Sequence, residues 1–344
     1  LLIKDSAVGA AGTATSVAGI PFYSADNSIY THDVSGTDNT ASFNSAYGIG
    51  ALDAITTGDY NTAVGYNAGG AINTATRNAM FGNAAGAAIT SGSRNALFGN
   101  NAGSTLTEGN HNLFMGGDSP GGAVTTGNRN HLLGYAAGDG FDTESDNLAI
   151  GYDALGGAVA GGEYNVAIGN YSLDALTSGD ENTVVGYNAG SGITTGDFNV
   201  GLGSNALYAV TTGDSNVGIG YRAGTAITSS TLNTFVGWEA GKTLTDTGIV
   251  NVGIGCSALQ AMTTGTQNTA LGGNAGYLLT TGGNNVMVGH NAGDGFDTES
   301  NNLAVGKDAL GGAIAGGEYN VAIGNYSGQA LTSGDNHTFI GYEA

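Results

Sequence analysis

Two kinds of phosphate chemistry could be read from glycine-bearing stretches of this sequence. Gly237-Trp238-Glu239-Ala240-Gly241-Lys242-Thr243 comes within one residue of P-loop spacing, ending on a Lys and a Thr that would hold phosphate and magnesium. Gly218-Ile219-Gly220 and Gly253-Ile254-Gly255 share the opening of a dinucleotide fingerprint. Each needs a helix N-terminus beyond the glycines, where unpaired N–H groups meet the anion. No helical pattern comes after any of them.

Carboxylates offer a second chemistry. Asp139-Gly140-Phe141-Asp142-Thr143-Glu144, copied at Asp294 to Glu299, could set two acids across a groove for glycoside cleavage or hold calcium in a turn. An identical second copy fits block duplication of a solvated turn better than one active site. The histidines His32, His111, His131, His290 and His337 are scattered, with neither metal-ligand spacing nor a Ser-His-Asp arrangement. Arg77, Arg94, His111 and Arg129 recur at equal spacing and could form a basic stripe for an anionic glycan or another protein. The plainer reading is an exposed column compensated by acidic neighbours and solvent. The expectation is therefore no catalytic residue, no cofactor-binding residue, no metal ligand, no cofactor and no enzyme.

The element that positions all of these residues is a repeat. Asn61-Thr62-Ala63-Val64-Gly65-Tyr66-Asn67-Ala68 returns, with changes, from Asn44 to the end of the chain. Asn marks position 0 at 44, 61, 78, 95, 112, 130, 147, 165, 182, 199, 216, 233, 251, 268, 285, 302 and 320, and His337 fills an eighteenth place. The step is 17 residues thirteen times and 18 residues four times. A unit this short is one coil of a solenoid.

Position 4 is Gly in all eighteen units, which implies a corner needing positive φ or close backbone approach. Position 7 is Ala in fifteen and Ser in three, so a larger side chain is not expected there. Positions 1 and 3 share one face of a strand, and position 3 is always apolar. A second apolar position, 11, precedes Thr-Thr-Gly or Thr-Ser-Gly and reads as another short strand before a turn. Each coil is thus expected to hold two strands and two turns. The Thr-rich turns also raise an ice-binding array, but Ser, Asn, Ala and acidic residues interrupt it.

With 64 Gly among 344 residues, no Gly-x-y period and 40% apolar content, the chain is neither collagen nor a flexible linker. Seven basic against 28 acidic residues, a net charge of −21, argue against nucleic acid and anionic membrane as partners. The lone Cys256 allows no internal disulfide. Residues 1–43 stand outside the repeat and read as a β cap or attachment segment, with strand-like Ile20 to Ser24 and Ser28 to Val34. Residues 44–344 are the eighteen units, the last truncated after Ala344, so further protein is expected beyond it. Residues 138–187 and 293–342 are related at an offset of 155 residues, nine coils, so the array grew by copying blocks.

Asn165-Val166-Ala167-Ile168-Gly169 and its copy Asn320 to Gly324 resemble the head repeat of trimeric autotransporter adhesins. The longer Asn-Thr-Ala-Val-Gly-Tyr-Asn-Ala-Gly form is similar to repeat arrays of phage tail fibres. The resemblance implies an all-β chain, an elongated parallel β-solenoid built as a left-handed β-roll of 17- to 18-residue coils, and a homotrimer. It further implies a structural fibre of a virion that spaces or presents a host-attachment domain, with other virion proteins and a host-surface glycan as partners. The alternative is a bacterial cell-surface adhesin whose roll binds host or matrix directly. Position 2 carries no polar residue in any unit, and is expected to form the apolar stripe at which copies meet.

Overall fold

The computed structural model describes residues 15–17, 20–25, 28–31, 39–157, 161–312 and 316–344. Two compact units make up the chain, residues 1–160 and 161–344. Among the described residues there is no helix, and each coil contributes one strand, usually of three residues. In the first unit the parallel strands run from Ser28–Tyr30 through Ser45–Tyr47 to Leu148–Ile150. In the second, eleven run from Val166–Ile168 to Thr338–Ile340. Each residue opposes its equivalent one repeat on, as Thr183 does Val200 and Val185 does Leu202. The chain is a parallel β-solenoid with one repeat per coil, as the spacing predicts.

The strands preceding the repeats pair differently. Thr15–Val17 and Ile20–Ala25 are antiparallel, and Ile20–Ala25 pairs antiparallel with Ser28–Tyr30, which then opposes Ser45–Tyr47 in parallel. His32, Asp33 and Val34, read as strand from sequence, lie outside the described residues.

The position 4 glycine meets both expected demands. Gly82 has φ of 144°, and a Cβ on it would lie 2.1 Å from the Gly99 carbonyl oxygen in the next coil. Stacked backbones touch at this corner, so only hydrogen fits.

Position 7 needs correction. The coil starting at Asn112 carries its extra residue just after the strand, where the register shifts between Phe98 and Asn100 and Asn100 opposes Asp118. Ser119 is then the left-handed turn residue, with φ of 46°, and Pro120 takes the buried place that Ala has elsewhere. Gly103 N–H donates to Pro120 O, as Gly86 N–H does to Ala102 O. A ring larger than Ala is therefore accommodated.

Position 11 is not a second strand. Ile72, Ile89, Leu106, Ile193 and Ile227 are fully buried, as the apolar pattern requires, but they lie in irregular backbone just after a turn. Ile72 N–H bonds back to Gly69 O within its own coil, which bends the chain instead of extending it. The threonines after it tie coils together: Thr194 Oγ1 donates to Thr211 O and Thr211 Oγ1 to Thr228 O. Those hydroxyls are occupied and form no free threonine array.

The largest correction concerns the strand's two faces. Position 2 points into the coil, and Ala63, Met80, Leu97, Phe114, Val184, Phe235 and Met287 are fully buried. Positions 1 and 3 face out. The interior is filled layer by layer, with bulk shared between position 2 and position 8. Where position 2 is Gly218, Leu207 fills the space, and a Cβ on Gly218 would come within 2.8 Å of it. Where position 2 is Phe235, position 8 is Gly241, whose added Cβ would meet the ring at 2.4 Å. Large side chains at one of these positions are thus met by small ones at the other, in the same coil at Phe235 and from the preceding coil at Gly218.

Position 0 explains why Asn recurs. Its side chain is buried, and its amide bridges coils in both directions. Asn199 Nδ2 donates to Gly213 O at 2.8 Å, while its Oδ1 accepts the Asn216 backbone N–H at 3.0 Å and Asn216 Nδ2 at 3.2 Å. The same bonds link Asn44 to Asn61 in the first unit and, in the second, reach Asn320, whose Oδ1 accepts the His337 N–H. Only a side chain with one acceptor and an adjacent donor can satisfy a buried N–H and a buried carbonyl at once.

Candidate interaction surface

The outward strand face is the most extensive candidate surface. Position 3 carries Val64, Phe81, Met115, Ile150, Val185, Ile254, Leu271 and Ile323, each between 36% and 48% exposed. Position 1 beside it holds half-buried Val166, Val200, Val217, Val252 and Val321. Phe81 and Phe98 stack in this column with centroids 5.1 Å apart. Parallel sheets are ordinarily covered on both faces, and the outward face here is apolar at every position 3 and at eleven of the eighteen position 1 residues. The stripe expected at position 2 is instead core, and the outward apolar residues are those of positions 1 and 3. The alternation could not reveal this, because positions 2 and 3 are apolar throughout and position 1 mixes Val, Leu and Ala with Thr, Ser and His.

The basic stripe is a true column at position −1. Its carriers adopt left-handed backbone, with φ of 61° at Arg77, Arg94 and His111 and 57° at Arg129. Arg129 makes a two-pronged ion pair with Asp146 of the next coil, Nε to Oδ1 at 2.5 Å and Nη2 to Oδ2 at 2.6 Å. The hydrogen bond from Arg129 holds the Asp146 carboxyl below the usual carboxylate range. Arg77 lies over the Tyr60 ring at 5.5 Å, and Tyr60 stacks on Phe43 at 4.8 Å. Its neighbours in the column thus satisfy both ends of the stripe.

No family model, curated protein or solved structure matches this chain.

The acidic turns are built inward. Phe141 and Phe296 occupy position 11 and are fully buried, and Glu144 and Glu299 are 4% and 3% exposed. Glu144 Oε2 accepts the N–H groups of Asp142 and Thr143, and Glu299 Oε2 those of Asp297 and Thr298. Glu299 Oε1 also takes the Gly316 N–H. These glutamates cap their own turns with oxygens a calcium ion would need, and no metal-holding group of three donors occurs among the described residues. Asp139 and Asp294 face Asp153 and Asp308, and burial together with that like charge pushes both carboxyls up.

The phosphate-like stretches are ordinary coil. Gly237 is a corner at φ of 140°, and Lys242 Nζ bonds Glu239 Oε1 at 2.9 Å instead of facing a phosphate site. The four described histidines occupy different positions in their coils, and Cys256 is exposed.

One further surface is not legible as a whole in the sequence, although the phosphate-like stretch supplies part of it. In the second unit, a furrow runs between the columns at positions 6 and 9. Arg222, Glu239 and Asn274 lie on one wall, and Tyr208, Lys242 and Tyr277 on the other. Glu239 and Lys242 share one coil, inside the phosphate-like stretch, Asn274 and Tyr277 share another, and both columns vary freely, so no motif spans the whole furrow.

Proposed function

We propose that this chain is a structural fibre protein of a phage virion, a homotrimer that spaces or presents a host-attachment domain. The observation that carries the reading is the outward apolar face at positions 1 and 3. Eleven strands about 4.8 Å apart, each three residues of about 3.3 Å, give the second unit a face on the order of 500 Å². That reaches the upper range of apolar patch a monomer leaves in water. A second and third copy of the same face is the natural cover, because every coil presents equivalent residues at the same height. The resemblance to trimeric adhesin heads supports threefold closure over a pair.

Other virion proteins at the fibre's ends and a host-surface glycan are the partners this reading carries, and no catalytic step belongs to it. Sedimentation of the wild-type chain should give three times the 33.8 kDa chain mass. Replacing outward Val236 and Ile254 with Asp should release folded monomers, since both side chains leave the core untouched. A wild-type chain that sediments as a stable monomer would refute the assembly. Immunogold labelling of virions, with bacterial surfaces in parallel, tests location: label on cells alone would move the protein to the adhesin reading.

A further inference from the structure

The furrow of the second unit has the chemistry of a sugar-binding groove. Two open basins share Lys242. One is lined by Trp238, Gln260, Asn274, Tyr277 and Asp294, the other by Asn188, Asn205, Tyr208 and Thr225. The aromatic rings are held but not covered: Trp238 is 49% exposed, Tyr208 44% and Tyr277 38%. Trp238 packs against Tyr221 with ring planes within 19° of parallel.

Charge in the furrow is spent internally. Glu239, only 6% exposed, takes Lys242 Nζ at 2.9 Å, Gln260 Nε2 at 2.6 Å and Arg222 Nη1 at 3.7 Å. Two cations that could hold an anionic ligand are therefore committed to one carboxylate. Asp294 also lines the basin, but its Oδ1 is buried beneath the surface and is not open to a ligand. Backbone groups under the furrow are also taken, since Gly241 N–H bonds Ala258 O, Leu259 N–H bonds Ala275 O and Gly276 N–H bonds Ala292 O. An extended peptide would find no free strand edge there.

The groups with open capacity are exposed ring faces and the side-chain oxygens of Gln260 and Asn274, whose nitrogens are bonded to Glu239 and Asn291. A pyranose fits that set, because its C–H face is apolar and its rim of hydroxyls both donates and accepts. Tyr208 and Tyr277 are four coils apart, about 19 Å at about 4.8 Å per coil, so the groove suits a chain of sugar rings. We infer that the furrow binds a neutral oligosaccharide, with rings seated on Trp238, Tyr277 and Tyr208 and hydroxyls donating to Gln260 Oε1 and Asn274 Oδ1. This names the site for the glycan partner of the fibre reading and rests on that reading only for where the sugar is met.

The chain's one tryptophan lies in the groove and reports binding directly. Titration of the full chain with cello-, manno-, galacto- and chito-oligosaccharides should give a saturable change in tryptophan fluorescence for at least one series. Tyr277→Ala, which keeps the reporter, should weaken that binding about tenfold or more. Tyr66→Ala, an exposed tyrosine of the first unit, should leave it unchanged. Far-ultraviolet circular dichroism confirms that both variants keep the fold. The inference is overturned if no series gives a saturable change, if the two variants behave alike, or if sulfated or uronic-acid glycans are preferred. Sedimentation of the same samples separates the two proposals: a monomer that binds sugar loses the trimer alone, and a trimer that binds none loses the groove alone.

Discussion

Two neighbouring columns of this solenoid behave in opposite ways. Position 0 is Asn in seventeen of eighteen units, buried, with its amide bonded across coils. Position −1, one residue earlier, is left-handed in all eighteen, yet holds Phe, Tyr, Arg, His, Asp, Glu, Ser, Leu, Val, Gln and Asn. The first column keeps its identity because specific atoms are used. The second keeps its conformation because the stacked coils impose it, while its side chains reach solvent and vary. Identity in such a repeat reports buried bonds; variability reports surface. The furrow lies between two variable columns, consistent with a surface able to change its ligand without altering the coil.

The contrast can be broken most severely at position 0. Asn199→Ala strips the buried Asn216 N–H and Gly213 carbonyl of their partners, and should cost about 3 kcal/mol in chemical denaturation. A cost below that of a surface substitution would mean that water replaces the amide and that the column is not held by its bonds. Position −1 should respond with the opposite sign. Val250, a β-branched residue at φ of 58°, is strained there, and Val250→Asn should stabilise the chain by about 1 kcal/mol. Loss of stability would show that its side chain contributes packing the exposure conceals.

The smallest effect is electrostatic. Burial and Asp153 raise the Asp139 carboxyl above its unfolded value, so ionisation disfavours the folded state. That penalty is absent below the ordinary carboxylate range, where both states are protonated, and grows as pH rises towards the folded value. Asp139→Asn should therefore stabilise at pH 7 by less than about 1 kcal/mol, after allowance for solvent screening. The gain should vanish below about pH 4. An equal gain at both pH values would assign it to packing.

Much of the fold was legible. The step length, the glycine corner and the parallel register follow from residues whose reason is local: a backbone contact at Gly82 admits no side chain, and equal spacing forces in-register stacking. The direction of the strand was not legible, since Thr183-Val184-Val185 is apolar enough to face either way. The discriminating signal was exchange of bulk between positions 2 and 8, as at Gly218 with Leu207 or Phe235 with Gly241, which only an enclosed layer requires. Position 11 looked like strand because burial and extension share the same residues; Ile193 is buried in irregular backbone just after a turn. The role of Asn was signalled by repetition, but its partners lie one coil away. Of the candidate surfaces, the arginine column could be placed from spacing alone, whereas Trp238 and Tyr277 line one basin from coils two repeats apart.

The asparagine ladder also bears on chemical ageing. Asparagine loses its amide when the next residue's backbone nitrogen attacks the side-chain carbonyl carbon, a reaction that requires both groups to swing together. Here the Asn199 amide is fixed from both sides, and the next nitrogen, on Val200, donates to Asn216 O at 2.8 Å. Each coil thus restrains the attacking atom and its target in the coil below, and the bonds that stack the coils also protect their most hydrolysable side chains.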